Sequence, residues 1–265
     1  MTLVERVDAA VERSASLLCV GLDPPAGSGA DSAFQQCVAL VDETLAESCA
    51  YKPNLAFFEQ FGSVGYAALE KLRARVPSTH LYVLDGKRGD IASTASAYVT
   101  SLFDVLGADA VTLNPLLGGD SVAPFLARAD RGVFLLARTS NPGAEDVLDA
   151  RLASGERLFE RLVDLGLGWD PGGLIGFVVG ATSPESVRRV REKAPQAPLL
   201  IPGVGAQGAP LADAVRAGVD ARRGRALIVA SRAISESADG PGRAAARLRA
   251  SIDEARGIAV PAAAP

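Results

Sequence analysis

Short apolar runs alternate with longer amphipathic stretches through most of the chain. Apolar runs of this length are typical of parallel strands covered on both faces, and the stretches between them have the apolar spacing of helices. About eight strand–helix units predict a single-domain α/β protein with a closed (β/α)8 TIM barrel. The predicted strands are Leu17–Leu22, Tyr51–Phe57, Leu81–Leu84, Ala110–Leu113, Val133–Ala137, Leu174–Val179, Leu199–Ile201 and Ala226–Ala230.

The same pattern leaves one alternative fold open. A doubly wound α/β sheet would carry a G-x-G-x-x-G turn after its first strand, and the turn found there, Gly21-Leu-Asp-Pro-Pro-Ala-Gly27, does not match. We expect one catalytic domain over residues 1–265, with a frayed tail over residues 258–265. The predicted helices are Ser32–Ala50, Gly65–Val76, Ser93–Leu106, Glu156–Leu165, Pro184–Lys193 and Leu211–Ala217.

Composition narrows the class of protein. The 265 residues are 48% hydrophobic and 22% charged, which is typical of a globular protein that buries a large core. A net charge of −4 without a basic stripe argues against a nucleic-acid partner, because the cluster Arg222–Arg225 is too short to form such a surface. No apolar run reaches about 20 residues, so we expect no membrane segment.

The number and spacing of the cysteines indicate whether the protein works in a reducing or an oxidising cellular compartment. Cys19, Cys37 and Cys49 form no CxxC pair and no metal-ligand spacing with His80, the single histidine. We therefore expect reduced thiols in the cytoplasm, no metal site and no cofactor.

A charged motif follows the third predicted strand. Residues 84–94 read Leu-Asp-Gly-Lys-Arg-Gly-Asp-Ile-Ala-Ser-Thr. Asp85 and Lys87 are two residues apart, so on a strand their side chains point to the same face. Asp90 follows a glycine-containing turn, and we expect a helix to begin there with Thr94 on the same side. Two carboxylates thus bracket one ammonium group where a reaction can use the charge.

Lys52 lies inside an apolar run and needs a partner there. The neighbouring strands offer Asp85 on one side and Asp23 on the other, which predicts an alternating array of Lys52, Asp85, Lys87 and Asp90. Taken singly, Asp23 could be a helix cap and Lys52 a structural ion pair. Three charges converging at one strand end instead indicate an active site, since barrel active sites lie at the C-terminal ends of strands.

The loops after the seventh and eighth predicted strands resemble a phosphate site. The first loop lies within the irregular stretch Pro202–Pro210, where Gly203, Gly205 and Gly208 let backbone N–H groups approach an anion. Arg232, at the next strand end, adds a bidentate donor. A glycine-rich loop alone could be a flexible turn, and the nearby arginine favours phosphate.

Together these motifs resemble the orotidine 5′-phosphate decarboxylase family, and within it the longer bacterial subgroup, type 2. Asp85–Thr94 matches the family pattern D-x-K-x-x-D-I-x-x-T, and the resemblance covers roughly residues 15–250. The other matching segments are Leu18–Asp23, Tyr51–Glu59, Thr112–Pro115, Thr139–Gly143 and Ile201–Gln207.

The resemblance implies an enzyme that converts orotidine 5′-phosphate to UMP and CO2, the last step of de novo pyrimidine synthesis, without a metal. By that resemblance Lys87 is the general acid that protonates C6 of the pyrimidine, and Asp85 lies against the departing carboxylate. Lys52 would hold Asp85 and contact the ribose, which Asp23 also binds.

The resemblance further implies a homodimer with shared active sites, in which Asp90 and Thr94 reach the neighbouring subunit's site. Ile91 also counts among the implied substrate-binding residues. Ser140 would bind the pyrimidine edge, and Pro202–Pro210 would close as a lid. The implied phosphate-site residues are Pro202, Gly203, Gly205, Gln207 and Arg232.

Two alternatives remain. Related sugar-phosphate barrels with the same Asp-x-Lys-x-x-Asp motif use a metal held partly by an acidic residue on the second strand, where this chain has Lys52. A nucleotide-binding barrel without catalysis could use the same loops, but it would not need a proton donor such as Lys87.

Overall fold

The computed structural model describes residues 1–25, 27, 29–204 and 211–258. Its strands form a closed barrel in chain order, and each strand pairs in parallel with the next until β8 pairs with β1. This confirms the predicted TIM barrel. The strands are β1 (Leu18–Leu22), β2 (Ala50–Pro53), β3 (Leu81–Arg88), β4 (Ala110–Leu113), β5 (Gly132–Arg138), β6 (Ile175–Val179), β7 (Leu199–Ile201) and β8 (Ala226–Ala230).

Helices surround the barrel and connect consecutive strands. Among the described residues, no helix combines the length and apolar composition that crossing a membrane requires. A π-helical segment, Thr100–Val105, follows α5, and a short 3-10 helix, Pro115–Leu117, follows β4. The α-helices are α1 (Leu3–Ser14), α2 (Ala30–Thr44), α3 (Ala56–Glu59), α4 (Ser63–Arg73), α5 (Ala92–Val99), α6 (Gly119–Leu126), α7 (Ala144–Val147), α8 (Leu158–Trp169), α9 (Pro184–Lys193), α10 (Leu211–Gly218), α11 (Arg232–Ser235) and α12 (Pro241–Ala255).

The first helix, α1, closes the N-terminal end of the barrel. A capping box between Thr2 and Glu5 fixes its start. Leu3 and Val7 are fully buried in the apolar cluster that fills the barrel interior. A backbone N–H of α1 donates to the carbonyl of Gly173, just before β6 (3.1 Å). The end covered by α1 is therefore closed, and the opposite end, where the strands finish, is the one that can hold a ligand.

The second predicted strand is wrong beyond residue 53. β2 ends at Pro53, and α3 begins three residues later at Ala56. The Asn54 side chain accepts a hydrogen bond from Ala56 N (3.1 Å) and turns the chain into this helix. Phe57 and Phe58 prolong the apolar run, and a short apolar run does not by itself distinguish strand from helix.

Other predicted boundaries also differ. β3 continues past Leu84 to Arg88, and the predicted helix Ser32–Ala50 ends at Thr44. The predicted helix Ser93–Leu106 divides into α5 and the π-helical segment. The structure adds α1, α6 and α12, for which the apolar pattern gave no helix. Of the predicted frayed tail, residues 259–265 lie outside the described residues.

Candidate active site

A cavity of about 550 Å³ opens at the C-terminal ends of the barrel strands. This volume is within the range of about 300–1,000 Å³ that small-molecule sites have. Gly205 and Gln207, two predicted site residues, lie outside the described residues. The predicted site residues that line the cavity are Asp23, Lys52, Asp85, Ser140, Pro202, Gly203 and Arg232.

Asp85, at the end of β3, is the centre of a charged group that we call the Lys52–Asp85–Lys87 array. Lys52 Nζ lies 3.0 Å from Asp85 Oδ2, and Lys87 Nζ lies 2.8 Å from Asp85 Oδ1. Asp85 and Lys52 are 8% and 4% exposed, whereas the Lys87 side chain is 46% exposed. The array therefore consists of a buried ion pair, Asp85 with Lys52, and a second ammonium group, that of Lys87, which reaches solvent.

The two buried members of the array stabilise each other's charge. Burial by itself would raise the pKa of Asp85, but the charges and hydrogen bonds of Lys52 and Lys87 outweigh it and hold this pKa well below its usual range. Burial would likewise lower the pKa of Lys52, and the negative charges of Asp85 and Asp23 raise it above its usual value instead. Both groups are ionised at neutral pH.

The backbone around Lys87 is irregular. The β3–β4 register shifts between Leu84 and Arg88, and Lys87 has a φ of +47°. Beyond it, Arg88 forms an ion pair with Glu59 of α3, and its guanidinium lies over the Tyr98 ring, 5.4 Å from the centroid. These contacts hold the chain on the far side of Lys87, so the end of β3 has a defined position.

Asp23, after β1, is fixed by a serine from the last strand. Ser231 Oγ donates to Asp23 Oδ2 (2.7 Å), while Asp23 Oδ1 is buried and has no hydrogen-bond partner among the described residues. A Cβ at Gly21 would lie 1.9 Å from Ser231 Oγ, so only glycine leaves room for this contact. One carboxylate oxygen of Asp23 is thus an acceptor that the described residues leave unpaired beside the cavity.

Ser140 reaches the cavity from the loop after β5. The Thr182 hydroxyl donates to the Ser140 carbonyl (3.1 Å), which ties this loop to the end of β6. A Cβ at Gly180 would lie 2.5 Å from Ser140 Cα, so the close approach of the two loops requires glycine. The sequence singled out neither Thr182 nor Gly180.

The predicted phosphate residues that the structure describes line the cavity at the ends of β7 and β8. Gly203 has a φ of +99°, which favours glycine, and Arg232 is the first residue of α11. Arg232 is exposed, and within the described parts of the chain no hydrogen bond or ion pair restrains its guanidinium. Its donors are therefore available to an anion.

Four predicted site residues of the β3 motif do not line this cavity: Lys87, which contacts it only through Asp85, and Asp90, Ile91 and Thr94. Asp90 Oδ1 accepts a hydrogen bond from Ile91 N (2.8 Å), and no ion pair joins Asp90 to Lys52 or Lys87 in the described residues. The predicted four-membered array thus has three members within one chain. The helix predicted to start at Asp90 starts two residues later, with Ile91 as its N-cap.

Three residues in or beside the cavity, Asn54, Phe57 and Thr112, were not predicted as site residues. Asn54 and Phe57 line the cavity because the chain turns into α3, which a predicted strand over the same residues concealed. Thr112 is a buried β4 residue whose hydroxyl contacts Asp85, and it looked like an ordinary member of an apolar run. Two signals were available: a polar residue inside an apolar run, and the family-like segments Tyr51–Glu59 and Thr112–Pro115 that contain these three residues.

Nearly the whole chain matches one known family. The model of the orotidine 5′-phosphate decarboxylase / HUMPS family matches residues 16–248. An orotidine 5′-phosphate decarboxylase of Roseiflexus castenholzii is 46% identical over 254 residues, 93% of each chain. One of Verminephrobacter eiseniae is also 46% identical, over 97% of this chain and 100% of the relative.

The comparison with solved structures also finds an orotidine 5′-phosphate (OMP) decarboxylase. The structure of Leishmania donovani OMP decarboxylase is similar with a TM-score of 0.90 and 41% identity, covering 98% of this chain and 100% of that one. The sequence match spans all the cavity residues described above, from Asp23 to Arg232. The chain therefore belongs to the orotidine 5′-phosphate decarboxylase / HUMPS family.

Proposed function

We propose that this protein decarboxylates orotidine 5′-phosphate to UMP and CO2, the last step of de novo pyrimidine nucleotide synthesis. The observation that carries this proposal is the Lys52–Asp85–Lys87 array, of which Lys52 and Asp85 line the cavity, in a chain that belongs to the family. Lys87 is the general acid that protonates C6, because it is the one ammonium group of the array that extends to solvent.

The reaction needs strong electrostatic help. Loss of CO2 from C6 leaves an electron pair in the plane of the ring, where the π system cannot take it up. Fixed charge aimed at that carbon lowers the barrier. An ammonium group about 4 Å from the developing carbanion contributes on the order of 4 kcal/mol at an effective dielectric constant of 20, roughly a thousandfold in rate.

Asp85 has two roles in this proposal. Its carboxylate lies beside the substrate carboxylate and repels it in the ground state. It also holds Lys87 Nζ at 2.8 Å, toward the carbon that gains the proton. Lys52 keeps Asp85 ionised, and its charge compensates for the burial of that carboxylate.

The remaining residues bind the rest of the nucleotide. Asp23 and Lys52 bind the ribose, and the unpartnered Asp23 Oδ1 supports this role. Ser140 binds the pyrimidine edge. Pro202, Gly203 and Arg232 bind the phosphate together with Gly205 and Gln207, which lie outside the described residues.

We also propose a homodimer in which the partner completes each site with Asp90, Ile91 and Thr94. Ile91 is 52% exposed, and Leu116 and Leu117 are each 54% exposed near the same end of the barrel. Large apolar side chains exposed together mark interaction surfaces. In the dimer, Asp90 from the second copy would lie beside Lys87. It would be the fourth member of the predicted array, of which one chain supplies Lys52, Asp85 and Lys87.

The cysteines support a cytoplasmic location. Cys19, Cys37 and Cys49 are free and buried. Burial raises the pKa of Cys19 and of Cys37 to about 12, so these thiols are neutral and unreactive at physiological pH. Buried reduced thiols are ordinary in a reducing compartment.

The proposed activity is tested by mixing the purified protein with orotidine 5′-phosphate and following the ultraviolet absorbance as UMP forms. We expect conversion that EDTA does not reduce, because a lysine occupies the β2 position where metal-using relatives place an acidic ligand. Binding without turnover would identify a nucleotide-binding barrel, and loss of activity with EDTA would identify a metal-dependent one.

Arg232→Ala should lower kcat/KM for orotidine 5′-phosphate by about 100-fold, although this residue does not contact the ring. The reason is that a charge-assisted hydrogen bond to phosphate contributes about 1.5–3 kcal/mol, and remote binding energy helps to close the site. Steady-state kinetics measure the loss. Arg222→Ala, an exposed arginine away from the cavity, is the matched control. An unchanged kcat/KM would remove Arg232 from the phosphate site.

Mixing two inactive variants tests the shared site. Lys87→Ala and Asp90→Ala should each be nearly inactive alone, and a refolded mixture should recover about a quarter of wild-type activity. This fraction arises because half of the dimers are mixed and one of their two sites is intact. If each chain forms its own complete site, the mixture stays inactive.

A further inference from the structure

Thr112 of β4 connects the two charged residues of β3. Its hydroxyl donates to Asp85 Oδ1 (2.8 Å) and accepts from the backbone N–H of Lys87 (2.9 Å). A hydroxyl has one hydrogen and two lone pairs, so one donated and one accepted bond are compatible. Thr112 is 1% exposed, so bulk water does not compete for these two hydrogen bonds.

The hydrogen bond from Lys87 N to Thr112 lies at an irregular point of the β3 backbone. Lys87 has a φ of +47°, a left-handed conformation that a long side chain rarely adopts. The β3–β4 register shifts at this point, so the regular ladder is interrupted beside Lys87. The Thr112 hydroxyl accepts the N–H of Lys87 at this interruption.

The same hydroxyl also orients the carboxylate. Asp85 Oδ1 accepts from Lys87 Nζ and from Thr112, while Oδ2 accepts from Lys52. Three donors from three strands thus fix the plane of the carboxylate. Within the described part of the chain, Thr112 alone contacts both ends of the Asp85–Lys87 unit, the carboxylate and the backbone of the lysine.

We propose that Thr112 is a positioning residue for proton transfer: it fixes the direction of the Lys87 side chain and the orientation of Asp85. This inference rests on the proposed function. Catalytic groups must lie within a fraction of an ångström of the productive geometry, and a displacement of about 1 Å can cost about 100-fold in rate. Thr112 is buried and is not among the residues that line the cavity, so we expect it to act through Asp85 and Lys87.

Thr112→Val tests this role because valine keeps the shape and removes both hydrogen bonds. We expect kcat for orotidine 5′-phosphate to fall about 100-fold while KM changes less than about threefold, since ribose and phosphate contacts remain. Thr112→Ser keeps the hydroxyl and should restore most of kcat. Thr44→Val, which alters another buried threonine on α2, is the matched control and should leave kcat unchanged.

A second readout separates positioning from a general loss of structure. The reverse of the protonation step exchanges the C6 hydrogen of UMP with solvent through Lys87. In D2O, the rate of deuterium uptake at C6 should fall with kcat in Thr112→Val, while the UMP dissociation constant stays within about threefold of wild type. If the valine variant does not fold, Thr112→Ala is measured in the same way.

The outcomes are distinguishable. A wild-type protein that does not convert orotidine 5′-phosphate overturns the proposed function and this inference with it. An active wild type whose Thr112→Val variant keeps its kcat overturns the inference alone. Failure of Thr112→Ser to restore kcat would also overturn the inference, because it would show that the hydroxyl group is not what maintains kcat.

Discussion

Lys87→Ala should lower kcat/KM for orotidine 5′-phosphate by at least about 10⁵-fold. The ammonium charge accounts for about a thousandfold, since it faces the developing carbanion at about 4 Å. Loss of the proton donor accounts for at least about a further hundredfold. The Lys87 side chain is half exposed, so the variant should fold normally and unfold thermally within a few degrees of wild type.

The measurement is the conversion of orotidine 5′-phosphate at high enzyme concentration, with UMP quantified by chromatography to reach low rates. Lys71→Ala removes an exposed lysine from α4 and is the matched control, with wild-type kinetics expected. Lys87→Arg keeps a charge but donates its proton poorly, because the guanidinium pKa is above 12. A Lys87→Ala variant with more than about one-thousandth of wild-type kcat/KM would contradict the proposed role of Lys87.

Asp85→Asn should damage both activity and stability. The side-chain amide of asparagine has one acceptor, its oxygen, and one donor, its NH2 group. One of the two lysine ammonium groups would therefore face a donor where Asp85 offers an acceptor. We expect kcat/KM to fall about 1,000-fold, which corresponds to about 4 kcal/mol. Lys52 remains buried without its closest counter-charge, and removing one partner of a buried pair costs about 3–5 kcal/mol of unfolding free energy.

The stability effect has a defined pH dependence. The folded-state pKa of Asp85 is lowered, so its contribution is present above the ordinary carboxyl pKa of about 4 and is lost as the pH falls through the lowered value. The folded-state pKa of Lys52 is raised, so its contribution is present below about pH 10 and is lost as the pH rises further. Between about pH 5 and 7 the difference between wild type and Asp85→Asn should be constant, and at higher pH it should shrink as Lys52, buried without its closest counter-charge, loses its proton in the variant.

Urea unfolding across this pH range measures that difference. Asp239→Asn breaks an exposed ion pair with Arg247 and should cost less than about 1 kcal/mol at every pH. A wild-type advantage over Asp85→Asn that grew below pH 4 would have the wrong sign, and it would show that Asp85 is not a stabilised carboxylate.

Much of the fold followed from local pattern. The predicted bounds of β4, β7 and β8 agree with the structure residue for residue, because these strands are short runs bounded by polar residues or, for β7, by proline on both sides. The TIM barrel followed from the alternation of such runs with amphipathic helices. The pairing of Lys52 with Asp85 also followed from the sequence, since a lysine inside an apolar strand requires a counter-charge from a neighbouring strand.

Only the tertiary structure revealed the contacts between residues that are far apart in the sequence and that a register shift or the closure of the barrel brings together. Thr112 reaches Asp85 and the Lys87 backbone across 27 and 25 residues of sequence, and the contact depends on a register shift that periodicity does not reveal. Ser231 reaches Asp23 across 208 residues because the barrel closes β8 onto β1. Hydrophobic spacing fixes which face a side chain takes, whereas the atoms it touches are decided by register and by barrel closure.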